Sequence, residues 1–261
     1  MRKQPPAKLY KYQPYTVSSI DNVYRRALWF SKPLRFNDPF DCALDLDLSA
    51  TSDDDWTYIF EEFKKILPQE GVPPEFFNNR FAGDVYKALS TPILKELFER
   101  RKQLTLNHRG VCCLTESGDD FLMWSHYADG HRGFCLEFDT SFNPFDKALE
   151  VVYSDTIPTV NAKDLIQTEQ LAPGDLANPI LKMITTKSIH LAREKEWRIF
   201  HEDPDQHFQV DARAMTGLYF GCSTPDDHKN ILSNLLANSP TNLHSMQKTN
   251  GKFSVSVMPT H

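Results

Sequence analysis

The stretch Gly110-Val-Cys-Cys-Leu-Thr-Glu-Ser-Gly-Asp-Asp-Phe-Leu-Met-Trp-Ser-His-Tyr-Ala-Asp-Gly-His-Arg-Gly-Phe-Cys-Leu-Glu-Phe-Asp139 decides the fold class. Gly110 to Thr115 is an apolar run of strand length. Asp119 or Asp120 then opens a helix that reaches about Ala128, because a short acidic side chain can accept the first orphan N–H groups. From Gly133 to Asp139, Phe134, Leu136 and Phe138 alternate with Cys135, Glu137 and Asp139, the two-residue period of a strand. Strand, helix and strand in 30 residues place sheet and helix in one core.

The same reading extends outward. Lys8 to Tyr12 is an alternating, aromatic strand. Thr16 or Ser18 caps a helix to about Arg26, and Ala27 to Ser31 is a second strand, stopped by Pro33. Arg35 to Asp41 is a turn-forming loop of Asn, Asp and Pro. Beyond the central stretch, strands are expected near 150–153, 196–201, 207–210, 217–221, 242–247 and 253–257, with a helix over about 225–237. Residues 51–106 and about 160–192 carry helical periodicity, with turns at Pro68 and Pro73-Pro74 and a break near Pro173-Gly174. Strands separated by helical runs of such unequal length predict an α+β fold: one domain over 1–261, a mixed β-sheet core and two helical inserts. No GxGxxG or GxxxxGK[ST] is present, so neither a Rossmann turn nor a P-loop is expected.

Composition narrows the classes. Of 261 residues 40% are hydrophobic, with 18 Phe against 10 Gly, which excludes a disordered or collagenous chain. The net charge of −6 argues against coating duplex DNA. It averages two unlike pieces: residues 1–36 hold eight bases and one acid, net +7, so residues 37–261 carry −13. Asn37 to Glu62 holds nine acids and no base, a solvated or partner-facing stretch. No apolar run approaches the ~20 residues of a membrane helix, and no apolar segment follows Met-Arg-Lys-Gln-Pro-Pro. Five cysteines without a CxxC pair read as reduced, buried thiols, so a cytoplasmic location and no metal are expected.

Four segments are more polar than their apolar settings need. They are Lys11-Tyr12 with Phe30-Ser31; Asn37-Asp38-Pro39-Phe40-Asp41; Met123 to Tyr127 followed by Asp129 to Gly133; and Arg193 to Arg198. Each has a plain structural explanation: an Asx turn at Asn37 and Asp38, a hydrogen-bonded helix histidine at His126, a solvated strand face at Glu194 to Arg198.

In this order the motifs Leu-Trp-Phe-Ser, Phe-Asn-Asp-Pro-Phe-Asp, Met-Trp-Ser-His-Tyr-Ala-Asp-Gly-His-Arg-Gly-Phe-Cys-Leu-Glu-Phe and Glu-Lys-Glu-Trp-Arg-Ile resemble a bacterial domain-of-unknown-function family, number 2971. The likeness runs from about Leu9 to Gly221. Such proteins occur in bacteria and their mobile elements, and roles in phage defence or as toxins are suspected. The layout is also similar to ADP-ribosyltransferase-like folds, whose split mixed sheet holds NAD⁺ by a polar residue on the first strand, a hydroxyl and an aromatic on the second, and a Glu on a later strand. By that likeness Lys11, Tyr12, Phe30, Ser31, Arg35, Asn37, Asp38 and Tyr127 would bind a nucleotide-like molecule with NAD as co-substrate. Glu196, Glu194 and His126 would be catalytic. Glu194 and Glu196, two apart, would share one face of a strand. Lys11 stands where such enzymes carry Arg or His, a departure from the pattern.

Two other readings stand beside this one. Asp38, Asp41, His126, His131, Glu194 and Glu196 could bind a divalent ion in a nuclease or hydrolase. The polar loops could equally bind a nucleotide or a protein without chemistry. Asp38 is expected within hydrogen-bond reach of a basic or histidine side chain, with Arg198 paired to Asp38 or Asp41.

Overall fold

The computed structural model describes residues 3–66, 83–167 and 179–259. In chain order its elements are β1 (Lys8–Gln13), α1 (Val17–Arg25), β2 (Ala27–Phe30), β3 (Asp45–Asp47), α2 (Asp53–Ile66), α3 (Gly83–His108), β4 (Gly110–Thr115), α4 (Phe121–Tyr127), β5 (Phe134–Asp139), β6 (Leu149–Glu150) and β7 (Val152–Ser154). Then follow β8 (Thr159–Asn161), α5 (Ala162–Gln167), α6 (Pro179–Thr185), β9 (Thr186–Ser188), β10 (Glu196–His201), β11 (Gln206–Gln209), β12 (Met215–Phe220), α7 (Asp226–Leu236), β13 (Asn242–Lys248) and β14 (Val255–Val257). This is an α+β fold, as the sequence predicts. The turns expected at Pro68, at Pro73-Pro74 and near Pro173-Gly174 lie outside the described residues.

The chain forms two compact units: residues 1–36, 108–153 and 189–261, and residues 37–107 with 154–188. The first unit holds an eight-stranded sheet in the order β14-β13-β12-β5-β1-β4-β10-β6. It is mixed: β12 and β13 run parallel while β12–β5, β5–β1, β1–β4 and β4–β10 are antiparallel. The alternation read from the sequence sorts its two faces. Leu9, Leu114, Phe134, Leu136, Phe138, Trp197, Ile199, Leu218 and Phe220 form one core with Val23 of α1, Leu28 and Phe30 of β2, and Leu232 and Leu236 of α7. On the opposite face Tyr12, Cys135 and Met246 pack with Trp124 and Ala128 around α4. Each fully buried aliphatic or aromatic side chain contributes roughly 1.5–3 kcal/mol by leaving water, so both faces are firmly anchored.

Local signals fix the helices of this unit. Thr16 caps α1 through a capping box with Ser19. Asp120 caps α4 by accepting from the Leu122 and Met123 N–H groups. The strand expected over 150–153 is divided into β6 and β7.

In the second unit β3 and β8 pair in parallel, Leu46 opposite Val160. Trp56, Ile59, Phe60 and Phe63 of α2, Leu94 and Phe98 of α3, and Leu165 of α5 are buried. Lys163 pairs with Asp55 across α5 and α2 at 3.1 Å. The helix expected to continue to residue 192 ends at Thr185, and β9 and a short 3-10 turn (Ile189–Glu194) take its place. Thr186 and Ser188 are weak helix formers, and the three residues offer no apolar period to extend a helix. Among the described residues no helix is long and apolar enough to cross a membrane.

Candidate functional site

The first unit brings several polar side chains to β4. That strand meets β1 through one Cα pair, Tyr10 opposite Thr115. At its other end Val111 exchanges backbone hydrogen bonds with Ser31, just past β2. Between these two fastenings the Cys113 carbonyl takes Lys11 Nζ at 3.1 Å. A lysine side chain thus adds a bond from β1 to the backbone of β4. Burial disfavours the Lys11 ammonium, but negative charge among its neighbours, the Glu196 carboxylate included, outweighs it, so Lys11 lies above its usual range.

On the other edge of β4, Glu196 lies opposite Thr115 and Arg198 opposite Cys113. Both side chains are buried, and Arg198 Nε donates to Glu196 Oε1 at 2.7 Å. The Glu196 N–H donates to the Tyr153 hydroxyl at 2.8 Å. The Arg198 guanidinium lies 5.2 Å from the centre of the Phe36 ring. Arg198 therefore pairs with the glutamate two residues back on its own strand.

Glu194 and Glu196 do not share a strand face. Glu194 ends the 3-10 turn, and Lys195 is left-handed at φ 43°. This break re-aims Glu194, whose Oε1 accepts the Tyr127 hydroxyl of α4 at 2.8 Å. Thr115 Oγ1 donates to the Glu194 carbonyl at 2.6 Å, so the turn is tied to β4 as well. Tyr127, Glu194, Thr115, Glu196 and Lys11 thus sit around one strand.

Other expected residues have plainer surroundings. Tyr12 donates to the Ser117 carbonyl and accepts the Asp120 N–H, and its ring meets Trp124 edge-on at 5.1 Å, which fixes the start of α4. Phe30 is 1% exposed and belongs to the core with Phe208, so its ring is not presented for stacking a ligand. Arg35 and Lys32 both pair with Asp205. His126 is exposed, its ring edge-on to Tyr127. In the second unit Asn37 is exposed, and Asp38 accepts the Phe40 N–H at 2.9 Å in an Asx turn. No basic or histidine partner of Asp38 is found among the described residues, because a tight turn satisfies its carboxylate locally. Asp41 pairs with Lys187 at 3.8 Å.

All five cysteines are free thiols. Burial pushes those of Cys112, Cys113 and Cys135 up, which keeps them protonated and unreactive. Among the described residues no group of three or more His, Cys, Asp or Glu side chains is arranged to hold a metal ion. The sequence reading passed over one buried acid, Glu137, on the α4 side of β5, where it gathers hydroxyls and a lysine. The signal available for it was its place between Leu136 and Phe138 in a strand with apolar residues on both faces.

Fold and site together define an α+β protein with a mixed eight-stranded sheet and a buried polar cluster around β4. Residues 123–199 match the family model described as "Protein of unknown function (DUF2971)", which bears out the resemblance over the segment that holds the Met123–Phe138 and Glu194–Ile199 motifs. The matched segment includes Tyr127, Glu137, Glu194, Glu196 and Arg198. No curated protein and no solved structure matches the chain.

Proposed function

We propose that the cluster around β4 binds NAD⁺ and transfers its ADP-ribosyl group. The observation that carries this reading is the gathering at β4 of the Lys11 ammonium, bonded to the Cys113 carbonyl, and of a glutamate, Glu194, whose carbonyl is tied to Thr115 and whose carboxylate is oriented by Tyr127. A fixed positive charge suits a pyrophosphate. A carboxylate preorganised by a phenol suits the positive charge that develops on the ribose as the nicotinamide–ribose bond breaks. The electron pair of that bond leaves with nicotinamide, and the acceptor nucleophile gives its proton to a carboxylate as it bonds the ribose carbon. Glu194 is the better candidate for the reacting carboxylate, because Glu196 is buried against Arg198. Glu196 and Arg198 then act as positioning residues that fix the start of β10.

That same commitment of Glu196 favours one other reading, a site that binds a nucleotide-like anion without chemistry. The two separate in one experiment. The protein is incubated with NAD⁺, free nicotinamide is measured, and binding is followed by calorimetry. Under the transferase reading nicotinamide is released, and Glu194→Gln slows release by about 100-fold or more while NAD⁺ still binds. Binding without release supports the non-catalytic reading. Neither binding nor release overturns both.

A further inference from the structure

Glu137 is 4% exposed, and four donors surround its carboxylate. Lys8 Nζ and Thr216 Oγ1 (2.7 Å) bond to Oε1, and the hydroxyls of Tyr10 (3.1 Å) and Tyr219 (2.7 Å) bond to Oε2. Three features of the sheet build this cradle. Strand register sets Tyr10 on one side of Glu137 and Gly217 on the other. A register shift between Met215 and Gly217 lets Thr216 reach the carboxylate, the kind of re-aiming a β-bulge provides. Gly217 leaves the room, since a Cβ there would stand 3.1 Å from the Tyr219 ring and 3.3 Å from Glu137 Cβ.

The direction of the protons defines what this cradle can recognise. Two phenols and the Thr216 hydroxyl spend their hydrogens on Glu137, so each oxygen can only accept from any further partner. Aromatic surface adjoins them: Tyr10 meets Tyr219 edge-on at 6.2 Å, and His244 stacks on Tyr219 at 4.6 Å. Asp119 acts electrostatically on Tyr10, and Asp139 interacts in the same way with Lys8, so carboxylates outnumber the one lysine of the cluster. Burial pushes Glu137 up, but the hydrogen bonds from Lys8, Thr216 and Tyr219 outweigh it, and the group remains an anion below its usual range. An anion ringed by acceptor oxygens and π-faces is complementary to a cation that carries several N–H donors. Lys8 already displays this match. Its ammonium rests on Oε1 while half of its side chain is exposed to solvent, on a flexible stem that can swing away.

We propose that Glu137, Tyr10, Tyr219 and Thr216 form a binding site for a primary ammonium or guanidinium group on an aliphatic chain, with Lys8 as its resident intramolecular occupant. This inference stands independently of the NAD⁺ reading, which uses none of these side chains.

The test is calorimetric titration of the full chain with putrescine and with agmatine, in the wild type and in Lys8→Ala, Tyr219→Phe and Arg213→Gln. Removing the resident ammonium is expected to tighten binding of at least one probe by about fivefold or more, and losing one acceptor oxygen in Tyr219→Phe to weaken it by about fivefold. Arg213→Gln, a surface residue tied to Asp211, leaves affinity unchanged. A purely structural Lys8 would give no tighter binding on removal. If Lys8→Ala fails to fold, Lys8→Gln keeps a donor without the charge and reads the same effect. The proposal is overturned if neither probe binds the Lys8 variant, if that variant binds no more tightly than wild type, or if Tyr219→Phe leaves affinity unaltered.

Discussion

The Tyr127 hydroxyl donates to Glu194 Oε1 at 2.8 Å and so joins the end of α4 to the turn that precedes β10. The bond links two parts of the chain 67 residues apart and reaches a charged acceptor. Its worth is measurable by a double-mutant cycle. Tyr127→Phe and Glu194→Gln are each expected to lower unfolding stability modestly. Their coupling should be about 1.5 kcal/mol, the low end of the range for hydrogen bonds to charged groups. Urea denaturation of the four proteins checks it, and a coupling near zero would show that the contact does not hold the turn.

The buried pair on β10 should behave differently. Arg198 is 0% exposed and donates to Glu196, which is 4% exposed. Arg198→Ala leaves a carboxylate in the interior without this donor and is expected to cost about 3–5 kcal/mol. Replacing both, as Glu196→Gln with Arg198→Met, should cost less than Arg198→Ala alone, because the Glu196 carboxylate is then not left buried without its Arg198 donor. Thermal and chemical unfolding of the single and double variants settles the order. A double variant less stable than Arg198→Ala would mean that the pair stabilises the fold beyond avoiding a lone charge.

These two contacts show where the sequence was readable. Helix starts were legible, since Thr16 and Asp120 cap helices through local bonds. The alternation at Phe134–Asp139 marked the strand, and its Phe134, Leu136 and Phe138 join one core while Cys135 packs on the α4 side. The order of strands was not legible. β1 lies between β5 and β4, more than 100 residues on in the chain, and register across such distances leaves no local trace. β3 escaped because Asp45-Leu46-Asp47 has one apolar residue in three and reads as loop. The expectation that Glu194 and Glu196 share a face assumed unbroken strand backbone, and Lys195 at φ 43° breaks it. Glu137 was missed for a related reason: a Glu alternating with Leu136 and Phe138 reads as facing water, yet tyrosines of two neighbouring strands cover it.

The Glu137 cluster gives the fold a specific acid response. Its folded carboxyl lies below the usual value of 4.5. A group depressed on folding contributes stability that is fully present above its unfolded pKa and is lost as pH falls through the folded one. Wild-type unfolding free energy should therefore decline as pH drops below about 5 through this group. In Glu137→Gln that part of the decline should vanish, and the variant should be less stable at pH 7 because an amide cannot accept all four donors. Equilibrium unfolding between pH 7 and pH 3 reads both effects. An unchanged slope in the variant would show that other carboxylates set the acid limit.

Close backbone approaches make the last prediction, and three glycines near α4 separate two kinds of cost. A Cβ on Gly133 would stand 2.1 Å from the Gln13 carbonyl oxygen, and one on Gly221 would stand 2.2 Å from that of His131. Both obstacles are backbone atoms held in place: His131 O accepts the Ser223 N–H, and Gln13 pairs with Phe134 in the β1–β5 ladder. Neither can yield without moving β1 or the Asp129–Arg132 loop, so Gly133→Ala and Gly221→Ala should each cost about 3 kcal/mol or more, as overpacking of a fixed site does. Gly130 is the contrast. Its Cβ would meet nothing within 4 Å, but its φ of +60° is left-handed. Gly130→Ala should cost only about 1–2 kcal/mol, the strain of an L-residue in that region, and Gly130→Asn less, since Asn tolerates it. Melting temperatures should be lowest for Gly133→Ala and Gly221→Ala, higher for Gly130→Ala and highest for Gly130→Asn. A Gly133→Ala protein as stable as Gly130→Ala would mean that the loop and β1 are free to move apart.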